Sequence, residues 1–194
     1  MADLTMDFAR ISEERWLKQY YFIRAVFSAV WVTAVFTVGQ RSPGIAGVLL
    51  IAYPAWDAAA NYFDASRSGG LGQNTTQAIN VVASVATTVA VILALQVSMN
   101  WVLGVFGAWA ILAGLLQLGT AVRRWKSYGA QWAMVLSGAQ SALAGGFFIT
   151  EALMPTPPSG TRVAGYAAVG AVYFLISAVW LFVRESRRKS ARTA

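Results

Sequence analysis

The sequence predicts an all-α, polytopic membrane protein: six transmembrane helices built as three repeated helical hairpins with pseudo-three-fold symmetry. Three observations carry this expectation. Six stretches are each long and apolar enough to cross a bilayer, the basic residues gather on alternate connections, and the hairpins match one another in register.

The spans are Tyr21–Val38, Ile45–Phe63, Ala78–Val97, Trp101–Val122, Ala130–Leu153 and Val163–Val183. Crossing ~30 Å of hydrocarbon takes roughly 20 helical residues, which these runs supply. Hydrophobic residues make up 57% of the 194-residue chain and charged residues 12%, about half the ~25% usual in soluble domains. The runs are apolar on every side, unlike a soluble core helix, which buries one stripe. Backbone in lipid must satisfy its own hydrogen bonds, so apolar runs of this length are helices and not open sheet.

Residues 1–19 read as a short interfacial helix or a polar tail, with Leu4, Phe8 and Ile11 at helical spacing. Asp3, Asp7, Glu13 and Glu14 in this stretch argue against a cleavable signal. The transmembrane domain covers 20–184, with hairpins 21–67, 77–123 and 131–187, and 185–194 is a basic cytoplasmic tail. Ser42-Pro43-Gly44 and Pro155-Thr156-Pro157-Pro158 are strong helix stops, and Ser98-Met99-Asn100 makes a tighter middle turn. Gly69-Gly70 with Gly72 reads as a flexible connection.

The net charge of +7 is placed as a membrane protein places it. Thirteen of the fifteen basic residues lie on the side where the chain starts, and only Arg41 and Arg162 lie on the other. That asymmetry puts both termini in the cytoplasm. The Arg184–Arg192 tail suits anionic headgroups and lacks the interleaved aromatic or recognition elements of a nucleic-acid site. Membrane lipids are the expected partner and nucleic acid is not; self-association and an unknown protein partner stay open.

The repeat appears when the even-numbered helices are aligned. Ala52-Tyr53, Ala108-Trp109 and Val172-Tyr173 fall in register, followed by Asp57, Ala113 and Ser177 and, ten positions on, by Arg67, Arg123 and Arg187. The odd-numbered helices carry a second column: Arg24-Ala25, Asn80-Val81 and Ser137-Gly138. Self-similarity at a period of about 55–65 residues marks a repeat architecture. Hairpins that start and end on one side can be related only by an axis along the membrane normal.

Leu103-Gly104-Val105-Phe106-Gly107-Ala108-Trp109-Ala110-Ile111-Leu112-Ala113-Gly114 with Arg123-Arg124, and Trp132–Gly138 with Gly145, resemble the short membrane repeat of HdeD-type proteins. The resemblance runs from about Tyr21 to Arg188 and is best in the second and third hairpins. It implies a six-helix protein of the bacterial inner membrane, tied to acid resistance and stress, whose family has no agreed molecular activity. The first hairpin departs most, with Ala58 where the repeat usually has Gly and Pro54 inside its second helix.

Chemistry is narrowly bounded. The chain has no cysteine and no histidine, which removes thiolate chemistry, imidazole ligation and the usual near-neutral switch. No nucleophile–base arrangement or phosphate loop is present, so neither an enzyme, a metal site nor a cofactor is expected. Asp57 stands out as the one carboxylate placed well inside a span, where an acidic group costs about 2.5–3.5 kcal/mol and needs protein or water beside it. Folding the first hairpin about Gln40–Ser42 puts Arg24 level with Asp57, which predicts an intramembrane ion pair; the alternative is that Arg24 snorkels to the headgroups. Asn61, Asn80, Gln117, Ser137, Gln140, Ser141 and Ser177 form a polar layer near that depth. The layer is either hydrogen-bonded glue between helices or the wall of a water-filled vestibule. Small-residue stripes, Gly138-Ala142-Gly146 and Ala86-Ala90-Ala94, are expected to pack inside the bundle, and Glu151 near Arg162 to be a solvated helix-end residue.

The functional expectation is a non-enzymatic inner-membrane protein acting in stress or acid tolerance through envelope stabilisation or partner organisation. The second reading is a small-solute or ion conduit through the polar layer.

Overall fold

The computed structural model describes residues 2–125 and 131–193, with side chains from 15 to 125 and from 131 to 188. Its elements are α1 (Ala2–Thr37), α2 (Pro43–Arg67), α3 (Thr75–Ala94), α4 (Met99–Arg124), α5 (Gln131–Ala152) and α6 (Thr161–Thr193), with one 3-10 turn at Gly39–Arg41. Among the described residues there is no strand, and six helices are long and apolar enough to cross a membrane.

The turns follow from their residues. Ser42 is extended and Pro43 opens α2, where a missing N–H costs nothing because the first amides of a helix have no partner. Ser98 is extended and its hydroxyl accepts from the Trp101 amide, capping α4. Helix α3 ends at Ala94 and not at the expected Val97, leaving three residues of turn before that cap. The link after α2 is more ordered than its glycines suggested. Gly69 and Gly70 take φ of 95° and 86°, and the Asn74 side chain braces the loop on Ser68 and Gly70 carbonyls. Positive φ at two successive positions is what glycine permits at little cost.

Two expected boundaries fall inside continuous helices: residue 19 lies within α1, and 184–185 within α6. The expected start of the fifth span, Ala130, lies outside the described residues.

Each helix packs on its chain neighbours, and α1 also packs on α6, so the six close into a ring. The closest pairs are α4 with α5, α1 with α6, and α2 with α3. Glycines make the α4–α5 contact. A Cβ on Gly114 would lie 2.5 Å from the Gly138 carbonyl oxygen, and one on Gly145 would lie 2.5 Å from that of Gly107. Backbones approach this closely only where side chains are absent. The stripe on α5 is thus Gly138 and Gly145, two turns apart, whereas Gly146 faces open space. The expected Ala86-Ala90-Ala94 stripe is likewise corrected: Ala86 is exposed, and α3 turns Gln77, Ser84, Thr87, Val91 and Ala94 inward.

The outer surface is apolar, with Val82 69%, Val30 64% and Leu143 76% exposed, as lipid-facing positions require. Inside, two buried clusters lie at different depths. One centres on Trp31, Leu50, Val91, Phe106, Phe148 and Val163. The other centres on Leu17, Tyr21, Ala121, Met134, Phe174 and Leu181, toward the end where α1 begins and α6 finishes.

Candidate functional site

Helix α2 carries Asp57, Asn61 and Asp64 at i, i+4 and i+7, one stripe on one face. All three are buried, Asp57 at 5% exposed and Asp64 at 2%. Each carboxylate meets an arginine from a different helix.

Arg24 of α1 forms a salt bridge to Asp57 Oδ1, and its other terminal nitrogen donates to the Tyr20 hydroxyl at 2.8 Å. The guanidinium also lies over the Phe174 ring, 4.4 Å from its centroid, a cation–π contact strengthened by burial. Asp57 Oδ2 accepts from Asn61 Nδ2 at 3.0 Å and from the Ser84 hydroxyl at 2.8 Å. Ser84 in turn accepts from the Trp109 indole at 3.0 Å. The carboxylate is therefore hydrogen-bonded on both oxygens, the condition for an ion pair to persist away from water.

Two turns along, Asp64 Oδ2 pairs with Arg124 of α4 at 3.1 Å and accepts from Gln77 Nε2 at 3.4 Å. Its Oδ1 accepts from the Trp16 indole at 3.2 Å. Asp64 is thus a second carboxylate buried in the bundle, nearer the end of α2 than Asp57, the one expected well inside a span. The expected second span closes at Phe63, one residue short of Asp64, and the charge count places Arg124 only among the basic residues on the side where the chain starts. The three-residue polar stripe on α2 was the available signal.

Both pairs line one chamber of about 100 Å³ to which all six helices contribute, room for several waters. Of the expected polar layer, Asn61, Asn80, Gln117, Ser137, Gln140 and Ser141 line it. Ser177 does not; it is fully buried and its hydroxyl has no partner among the described residues. Ser141 bonds the Ala110 carbonyl and the Tyr166 hydroxyl, and Gln117 donates to the Met134 carbonyl. Glue and lining are thus combined in the same side chains.

Aromatic rings lie against the chamber wall. Tyr53 meets Trp31 at 4.5 Å and Trp109 at 5.9 Å between centroids, and Phe106 and Phe148 pack on Trp109 and Tyr166. These rings belong to or adjoin the first buried cluster, so one end of the chamber meets an aromatic plug. Pro54 is buried in α2 just before Asp57, and the helix continues through it; the Trp31 indole donates to the nearby Leu49 carbonyl at 2.7 Å. At the opposite end of the bundle from the termini, Arg162 pairs with Glu151 at 2.9 Å, and the Glu151 side chain is only 17% exposed. Glu151 is therefore more enclosed than a solvated helix-end residue would be. No group of three or more metal-ligating carboxylates occurs among the described residues.

Residues 80–150 match the family model of a short repeat of unknown function, DUF308. That family includes the HdeD-type membrane proteins. No curated protein and no solved structure matches the chain. The matched segment runs from Asn80 in α3 through the Gly107–Gly145 and Gly114–Gly138 contacts, so the glycine-bound half of the bundle is the part similar to the family.

Proposed function

We propose that the chain is a non-enzymatic, multi-pass protein of the bacterial inner membrane that holds a small polar solute or ion in its central chamber, the aromatic plug serving as the gate of a conduit. The observation that carries this reading is the chamber itself: residues from six helices converge on it with two buried Arg–Asp pairs. Ionisable groups within spans typically mark solute or ion pathways. Both termini are placed in the cytoplasm, on the support of the basic-residue asymmetry. The three hairpins are placed around a pseudo-three-fold axis, supported by the alternation of close pairs around the ring.

A second reading, envelope stabilisation with a role in acid resistance and stress, is favoured by the glycine contact of α4 and α5, which makes a stiff pair, and by the similarity of residues 80–150 to the DUF308 repeat.

Flux from proteoliposomes separates the two. A conduit gives solute leakage above protein-free vesicles, and Asp57→Asn, which leaves the Arg24 guanidinium without its counter-charge at the chamber, abolishes it. Silence across ions and small solutes, in protein that keeps its wild-type melting temperature, rejects the conduit and leaves the structural role.

A further inference from the structure

We infer that the solute of this chamber is a small monovalent anion, of the class of chloride or formate, and that the Arg24 guanidinium binds it. The inference rests on the reading of the chamber as a solute site and narrows it by the charge that the two ion pairs leave accessible.

The two pairs cancel in charge but not in access. The Arg24 side chain is 16% exposed against 7% for Asp57, and Arg124 is 14% exposed against 3% for Asp64. Hydrogen bonding explains the difference. Both oxygens of each carboxylate are taken, in Asp57 by Arg24, Asn61 and Ser84, and in Asp64 by Trp16, Arg124 and Gln77. A guanidinium carries five N–H groups, and the described bonds of Arg24, to Asp57 and to the Tyr20 hydroxyl, use two. Both arginines line the chamber. The charge that a solute meets there is therefore guanidinium rather than carboxylate.

A cation entering this space would leave its hydration for oxygens already engaged, the costly case for a buried charge. An anion exchanges water for charge-assisted N–H donors, which are roughly twice as strong as neutral ones. The field along the approach has the same sign. The chamber lining reaches Thr76, Arg124 and Gln131, at the ends of α3, α4 and α5 on the side of the termini. That side carries thirteen basic residues against seven acidic ones, all but Glu151, a balance that concentrates anions at the entrance. A volume of about 100 Å³ limits the solute to a few heavy atoms.

The reversal potential of the reconstituted protein in a potassium chloride gradient tests this, with chloride NMR line broadening on the detergent-solubilised protein reading binding independently of passage. The potential should follow chloride and not potassium, and formate should substitute for chloride. Asp57→Asn should tighten chloride binding by at least about tenfold, because the guanidinium loses its counter-charge, and should stop flux by retaining the ion. Arg24→Met with Asp57→Leu removes both charges without stranding either. It should weaken chloride binding by about tenfold, the scale of one hydrogen bond to a charged group, and it decides the question even where Asp57→Asn fails to fold. Potassium conductance or passage of uncharged solutes, without chloride conductance or binding, overturns the anion assignment and leaves the chamber reading standing. Absence of passage, conductance and chloride binding overturns both. Chloride bound but not conducted supports the anion assignment and rejects the conduit. Chloride binding weakened or unchanged in Asp57→Asn, or unchanged in the double variant, overturns the assignment to Arg24.

Discussion

Arg24 and Asp57 come from adjacent helices, and the charge of each is enclosed by the other together with Tyr20, Phe174, Asn61 and Ser84. Removing one partner of such a pair strands the other away from water. Arg24→Ala should lower stability by about 3–5 kcal/mol, measured as a fall in the detergent melting temperature. Replacing both, as Arg24→Met with Asp57→Leu, should recover much of that loss, though Ser84 and Asn61 then lose an acceptor and hold the recovery below wild type. A melting temperature unmoved by Arg24→Ala would show that the pair adds nothing. Depth counting from the first turn placed these two residues at one level because a short turn fixes the offset between antiparallel helices. The Asp64–Arg124 pair is not legible that way, since α3 lies between α2 and α4 in the chain and no single turn sets their relative depth.

Glycine placement at the level of the helix pair decides how α4 and α5 meet. Gly107, Gly114, Gly138 and Gly145 each have a partner backbone or side chain where a Cβ would go, whereas Gly119 and Gly146 have none within 4 Å. Gly114→Ala should therefore force the helices apart and cost about 1–3 kcal/mol. Gly119→Ala and Gly146→Ala should be neutral or slightly stabilising through helix propensity. Melting temperatures of the three variants check the contrast, and equal effects would reject it. The sequence showed that α5 is rich in small residues, but the four-residue spacing it offered selected Gly146. The contact in fact repeats every seven residues, because two straight antiparallel helices in close contact meet again after two turns. Helix existence was legible from hydropathy alone, since lipid leaves an apolar run of twenty residues no other structure. The inward face of α3 was not, because Gln77 lines the chamber, Ser84 bonds the Asp57 carboxylate and Thr87 bonds the Ala83 carbonyl, which inverts the rule that buried means apolar.

Over the whole molecule, the ring is closed by α1 and α6, through Lys18 with Glu185, Tyr21 on Phe174, and Arg24 on Phe174. The turn 153–160 and the turn at 39–42 lie at the end of the bundle away from the termini. With both termini cytoplasmic, as the basic residues argue, Ser159→Cys on this cysteine-free chain should react with an impermeant thiol reagent only from outside. Ser66→Cys, exposed near the end of α2, should react only from the cytoplasmic side. The reverse pattern would overturn the orientation.

The pairing of the first and last helices also bears on how the protein is made. A ribosome adds about 5–20 residues per second, so α1 waits roughly 10–30 s in the bilayer before its principal neighbour is synthesised. During that interval α2 can already neutralise Arg24 through Asp57, and the α4–α5 glycine contact can form as soon as α5 is inserted. The Tyr20–Tyr21 face of α1, by contrast, has no Phe174 to cover it until translation is nearly finished. A chain made only as far as α5 lacks the helix that packs on both α1 and α5, so α6 is the element that closes the ring.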